Sequence, residues 1–158
     1  MSTGKSELYK NIETKLEAFL SDNWLTNLSN TSALLFERLK NVNWSGFYLA
    51  KGRELFLGPF QGKAACLRIA FGKGVCGTAA ERLEPLIVPD VHLFPGHIAC
   101  DSNSKSEIVI PVVAKGRLIG VLDVDSPILD RFDEEDLKGL TSITHLLNRQ
   151  TLWPDRFF

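Results

Sequence analysis

Three cysteines are the most reactive groups in this sequence, and their spacing limits what they can do. Cys66, Cys76 and Cys100 are far apart, so they lack the close C-x2-C pairs of a zinc knuckle. An odd number of cysteines cannot pair fully within one chain, which excludes a disulfide framework. His92 and His97 lie near Cys100 in the sequence, but this spacing matches no standard zinc ligand set, and we expect no metal. Buried small hydrophobes or redox-active thiols remain.

The sequence around each cysteine indicates a different local environment. Cys66 and Cys100 lie in segments with weak secondary-structure signals, where functional groups are common. Cys100 is followed by the polar run DSNS, which suits an exposed and ionisable thiol. Cys76 lies at the start of a predicted helix, where it could be structural or could have a lowered thiol pKa. A redox role therefore competes with a packing role at each position.

Three carboxylates form a second candidate group. Glu107 opens a predicted strand, and Asp123 and Asp125 lie two residues apart on the next strand, so they face the same side of the sheet. They either face solvent as ordinary strand-end acids or line a pocket with Trp44 and Tyr48. Such a pocket would combine aromatic walls, a cation-binding patch and a thiol. It would fit a small zwitterion with an oxidisable or electrophilic group.

Hydrophobic periodicity predicts the elements that position these residues. Two amphipathic helices come first, with Asn30, Thr31 and Ser32 as capping types before the second and Trp24 and Leu28 in the connection. The remaining predicted elements are a strand hairpin (42–50 and 54–60), a helix (74–83), a strand (86–88), a second hairpin (107–114 and 117–125) and a final helix (133–149). This order favours an α+β fold with helices packed on an antiparallel sheet. Ligand space is expected between the sheet and the irregular segment 89–106.

The composition limits the classes of partner that this chain can bind. The chain has 158 residues, 44% of them hydrophobic, with 18 Lys and Arg against 19 Asp and Glu. A net charge of −1 gives no electrostatic basis for binding nucleic acid or an anionic membrane surface. No stretch has the roughly 18 apolar residues of a membrane helix, and the first ten residues lack the apolar region of a secretory signal. We expect a cytoplasmic protein.

Five strings carry a specific family resemblance. They are NWSGFYL, GPFQGKAAC, GVCGTAA, PDVHLFPGHIACDSNSKSEIVIP and GVLDVDSP. Together they closely resemble the free methionine-(R)-sulfoxide reductases, which are enzymes of the GAF fold, and the three cysteines fall in the family's three cysteine-bearing motifs. The resemblance covers nearly the whole chain.

The resemblance implies a single GAF domain over residues 1–158, a central antiparallel sheet with helices on its faces. Residues 1–40 would supply the N-terminal helices, 42–125 the sheet and active-site loops, and 133–150 the C-terminal helix. The implied reaction reduces free methionine (R)-sulfoxide through a cysteine sulfenic acid. By motif, Cys100 is the attacking thiol, Cys66 the resolving thiol, and Cys76 an alternative or auxiliary resolver.

The same resemblance assigns the pocket and the partners. Glu107, Asp123 and Asp125 match the family's pocket acids, which would hold the substrate ammonium and deliver protons. Trp44 matches the aromatic wall over the substrate methyl group, with Tyr48 nearby. Backbone N–H groups near residues 98–100 would bind the substrate carboxylate. No cofactor is implied; thioredoxin, or dithiothreitol in the test tube, would reduce the disulfide.

Other interpretations stay open at this point. GAF domains also serve as binding modules for cyclic nucleotides, but the asparagine-lysine-phenylalanine-aspartate-glutamate signature of sensory modules is absent. A redox-sensing protein whose thiols signal oxidation is a third interpretation. The resemblance is compatible with a homodimer, and the aromatic tail (153–158) would either contribute to that contact or fold onto its own domain.

Overall fold

The computed structural model describes residues 3–97 and 103–158. Its helices are α1 (Thr3–Glu17), α2 (Trp24–Arg38), α3 (Gly74–Arg82) and α4 (Glu134–Gln150). Its strands are β1 (Trp44–Lys51), β2 (Glu54–Gly62), β3 (Arg68–Ala70), β4 (Leu86–Val88), β5 (Ser106–Ala114) and β6 (Arg117–Ser126). The strands form one antiparallel sheet in the order β3-β2-β1-β6-β5-β4. The α+β architecture predicted from the sequence is confirmed. No helix within the described ranges is both long and apolar enough to cross a membrane.

The sheet separates two hydrophobic clusters because successive side chains on each strand point to opposite faces. On one face, Phe47 and Leu122 pack with α1, α2 and α4 in the larger cluster. On the other face, Tyr48 and Val121 pack with α3 in the smaller cluster. The larger cluster supplies most of the apolar burial. The smaller one leaves room for a cleft beside α3.

Helix α2 begins earlier than the sequence pattern indicated. It starts at Trp24, with Asn23 as the N-cap, so Trp24 and Leu28 lie in the helix and their assignment to a connection is wrong. Thr31 and Ser32 do not cap it: their hydroxyls donate hydrogen bonds to backbone carbonyls one turn earlier. This intrahelical bonding lets residues that favour caps remain in the helix interior.

Two smaller features of the fold are an additional strand, β3, and the position of the C-terminal tail. Strand β3 was not predicted; it pairs with β2 and buries Ile69. The C-terminal tail folds onto its own domain, where Phe157 contacts Trp24 with ring centroids 4.7 Å apart. The Arg117 side chain also donates to backbone carbonyls of the tail.

Candidate active site

Strand β1 provides an aromatic wall on the face of the sheet that carries α3. Trp44 and Tyr48 are each 2% exposed, and their rings stack with centroids 5.9 Å apart. The Trp44 Nε1–H donates to the Lys63 carbonyl at 3.0 Å, and the Tyr48 hydroxyl donates to the Cys66 carbonyl at 2.9 Å. These two bonds hold the loop after β2 over the sheet. They fix the orientation of both rings and the position of the Cys66 backbone.

The carboxylates lie beside this wall because of the strand register. Asp125 on β6 is opposite Trp44 on β1 and opposite Glu107 on β5. Asp123 is one step along the same face of β6, since alternate residues share a face. Glu107 is 8% exposed and Asp123 is 5% exposed. The alternative in which these acids face solvent is therefore wrong for both.

Helix α3 brings Cys76 onto the same cluster. Its first residue, Gly74, has a positive φ of 62°, a conformation that glycine adopts without a steric penalty. Gly77 packs so closely on the carbonyl of Ala70 that a β-carbon there would collide with it. This close approach seats the helix on the sheet. The Cys76 Sγ then lies 3.8 Å from Glu107 Oε2 as a hydrogen-bond donor.

Burial and like charges control protonation in this cluster. Burial, followed by the nearby carboxylates of Asp125 and Glu107, raises the pKa of Asp123 well above its ordinary value. Burial, followed by Asp123 and Glu107, raises the pKa of the Cys76 thiol well above its ordinary value of 9.0. The thiol therefore stays protonated at neutral pH and is a poor nucleophile. The expectation that a helix start could lower its pKa is outweighed by burial.

These groups line one cleft between the sheet, α3 and the loop after β2. Its described lining also includes the polar residues Lys73, His97 and Ser104. The cavity volume is about 50 Å³. Since one buried water needs roughly 10–15 Å³ by this measure, the cleft fits a small ligand rather than a nucleotide.

The sequence did not single out three of the cleft's polar groups. His97 was noted only for its position near Cys100, Ser104 only as the last residue of the polar run DSNS, and Lys73 carried no signal. Lys73 precedes α3 as its N-cap position without a side-chain cap bond. Ser104 is buried and contacts Asn43, a partner far away in sequence. Only the folded arrangement brings these residues together.

The structure describes two of the three cysteines, Cys66 and Cys76. Cys66 is half-buried and disulfide-bonded. Cys76 is a buried free thiol. Cys100 and the backbone N–H groups of residues 98–100 lie outside the described residues, so their predicted roles rest on the sequence motifs.

Comparison with known proteins identifies the family. The GAF domain profile matches residues 25–150. The free methionine-R-sulfoxide reductase of Escherichia coli is 50% identical over 147 residues, which cover 92% of this chain and 89% of the relative. The chain belongs to the free methionine-R-sulfoxide reductase family. The yeast Saccharomyces cerevisiae member is 45% identical over 160 residues, which cover 94% of this chain and 88% of that protein.

A solved structure of the family matches the fold closely. The free methionine-R-sulfoxide reductase of Neisseria meningitidis, solved in complex with its substrate, superposes with a TM-score of 0.85 at 43% identity. The match covers 94% of this chain and 89% of that one. The sequence resemblance and the GAF fold inferred from it are thereby confirmed.

Proposed function

We propose that this chain reduces free L-methionine (R)-sulfoxide to L-methionine by thiol chemistry in the cleft beside α3. One observation carries the proposal: the buried Glu107 and Asp123 and the half-buried Asp125 lie beside the Trp44–Tyr48 wall in a cleft sized for a small ligand. A free amino acid carries an ammonium group that needs an anionic partner. The methyl sulfoxide end is largely apolar and needs an aromatic contact. The membership of the family supports the same assignment.

The proposed pose places the substrate ammonium against Glu107, Asp123 and Asp125. This contact is charge-assisted, and it partly offsets the repulsion among the buried carboxylates. The methyl group of the sulfoxide then packs on Trp44. The substrate carboxylate binds Lys73, which also lines the cleft. The N–H groups of residues 98–100 are the further donors expected from the motif.

In the proposed first step, the Cys100 thiolate attacks the sulfoxide sulfur and the sulfoxide oxygen passes to the cysteine. The products are methionine and a cysteine sulfenic acid, so sulfur in the substrate is reduced and Cys100 is oxidised. A carboxyl that holds a proton at neutral pH is a suitable donor to the departing oxygen. The raised pKa of Asp123 favours this group for that role.

In the proposed second step, the Cys66 thiol condenses with the sulfenic acid, which forms a disulfide and releases water. A dithiol reductant then restores both thiols by exchange. We assign this reductant to thioredoxin. Cys66 is disulfide-bonded in the structure, which supports its part in such a cycle. Cys76 is a weaker candidate for resolution, because its raised pKa keeps it protonated.

The shape and charge of the cleft argue against the cyclic-nucleotide interpretation. A cyclic nucleotide carries a phosphate anion, and the floor of this cleft holds three carboxyl groups. Like charges at close range in a partly buried site are repulsive.

The function is tested with dithiothreitol as reductant and the separated sulfoxide diastereomers as substrates. We expect methionine to form from the free (R) form and not from the free (S) form. No turnover of the free (R) form would overturn the proposal.

The cysteine roles are tested by methionine formed per chain in a single turnover without added reductant. Cys100→Ser should form none, whereas Cys66→Ser should form one equivalent and lose recycling by thioredoxin. Cys76→Ser is the matched control and should keep both. Methionine formation by Cys100→Ser would reverse the assignment.

A further inference from the structure

A thiol and two carboxylates in the cleft also have the arrangement of a metal-binding site. Ligand atoms of Cys76, Glu107 and Asp123 all lie within 4.8 Å of one another. In a tetrahedral zinc site, with Zn–S near 2.3 Å and Zn–O near 2.1 Å, neighbouring ligand atoms are about 3.4–3.6 Å apart. The Cys76 Sγ and Glu107 Oε2 are already 3.8 Å apart. Small side-chain adjustments would therefore complete three corners of a tetrahedron.

A second observation points to a ligand at this place. Asp123 is 5% exposed and lines the cleft. Its Oδ1 is buried and accepts no hydrogen bond within the part of the chain that the structure describes. A buried acceptor without a donor is costly, and a bound cation would satisfy it. No lysine or arginine side chain forms an ion pair with Cys76, Glu107 or Asp123 among the described residues.

We propose that Cys76, Glu107 and Asp123 bind a thiophilic divalent cation of the Zn²⁺ class in the reduced protein. The mixed sulfur and oxygen donor set favours zinc over magnesium or calcium, which take oxygen ligands only. Zinc binds the thiolate, so the cation replaces the proton of the Cys76 thiol and this proton is released to solvent. The cation occupies the place assigned above to the substrate ammonium, so cation and substrate exclude each other. Only this exclusion rests on the proposed function; the binding itself does not.

The binding test uses the full chain with Cys66 and Cys100 both changed to serine, so that Cys76 is the single thiol. Co²⁺ is the probe, because a tetrahedral thiolate site gives it visible absorption bands and a thiolate charge-transfer band. We expect saturation at one equivalent, and Zn²⁺ should displace Co²⁺ and remove the bands. A further Cys76→Ser change should abolish the charge-transfer band.

The carboxylate ligands are tested by Glu107→Gln and Asp123→Asn in the same background. Each should weaken Co²⁺ binding by at least about 10-fold, while Asp155→Asn, a change of an exposed acid, should leave it unchanged. Thermal unfolding of each variant confirms that it is folded. No stoichiometric band, or equal affinity in Asp123→Asn and Asp155→Asn, would overturn the site.

Exclusion is tested separately in the reduced wild-type protein. Free methionine, offered as the reaction product, should weaken the apparent affinity for Zn²⁺ in calorimetry. Binding of Co²⁺ with its thiolate band but without this competition would retain the metal site and overturn the shared position. Failure of sulfoxide turnover would leave the spectroscopic result unaffected, so the two proposals fail independently.

Discussion

Replacing Asp123 by asparagine should make the protein more stable at neutral pH. The side chain is buried, and burial together with Asp125 and Glu107 raises its pKa in the folded state. Ionising Asp123 therefore costs more free energy in the folded protein than in the unfolded chain. Asparagine has nearly the same shape and carries no charge. The change removes this cost but also removes a group assigned to the substrate ammonium, as expected where function is favoured over stability.

The structure sets the size of the effect. Ligand atoms of Asp123 and Glu107 lie within 4.8 Å of each other, and two full charges at that distance repel by about 3.5 kcal/mol at an effective dielectric constant of 20. Sharing of a proton reduces this repulsion in the wild type, and the new amide gains imperfect hydrogen bonds. We expect a net gain of about 1–3 kcal/mol. For a chain of this size that corresponds to a rise in Tm of about 2–12 °C.

The assay is thermal unfolding of reduced wild type, Asp123→Asn and the exposed control Asp155→Asn over a range of pH. Because the folded-state pKa of Asp123 is raised, the wild type should lose stability relative to Asp123→Asn as pH rises above the ordinary carboxyl value of 3.8. Below that value the two should converge. A variant that is equally or less stable than wild type at neutral pH, or a difference without pH dependence, would show that the buried charge of Asp123 does not destabilise the folded protein.

Three further predictions concern the scaffold. Gly120→Ala should lower the free energy of unfolding by more than about 3 kcal/mol in a denaturant titration, because the new β-carbon would collide with the Tyr48 carbonyl. An effect below about 1 kcal/mol would mean that strands β1 and β6 separate easily. Tyr9→Phe should cost about 1.5–3 kcal/mol by the same titration, since the buried hydroxyl donates to Asp136 at 2.7 Å; unchanged stability would count against that bond. Asp133 has a folded pKa of about 2, because hydrogen bonds from Lys5 and the helix backbone outweigh burial. Asp133→Asn should therefore cost under about 1 kcal/mol at neutral pH, discounted for exposure, and this loss should vanish as pH falls from 3.8 to about 2; a loss that persists in acid would contradict the assignment.

Much of the fold follows from local patterns in the sequence. Helix α4 was predicted almost to its ends, since Asp133 caps it and acids fill its first turn. The two hairpins followed from alternation and from turn residues such as Gly52 and Gly116, which have positive φ. Strand β3 was not predicted, because three residues are too few to show a hydrophobic alternation. Its formation depends on pairing with β2 in the folded sheet.

The site was predictable to the extent that strands fix it. Asp123 and Asp125 share a face through their spacing alone, and the register then brings Trp44 and Glu107 beside Asp125. The contact between Cys76 and Glu107 has no local signal, because it depends on how α3 packs on the sheet. The raised pKa of the thiol follows from that packing, so the sequence left the role of Cys76 open.

In the proposed function, the carboxylates of Glu107, Asp123 and Asp125 bind the ammonium of a free amino acid. The most direct test compares kcat/KM for free L-methionine (R)-sulfoxide with that for its N-acetyl derivative, which lacks this charge. Acetylation should lower kcat/KM by at least about 100-fold, since it leaves the carboxylates without their partner. Comparable values for the two substrates would contradict it.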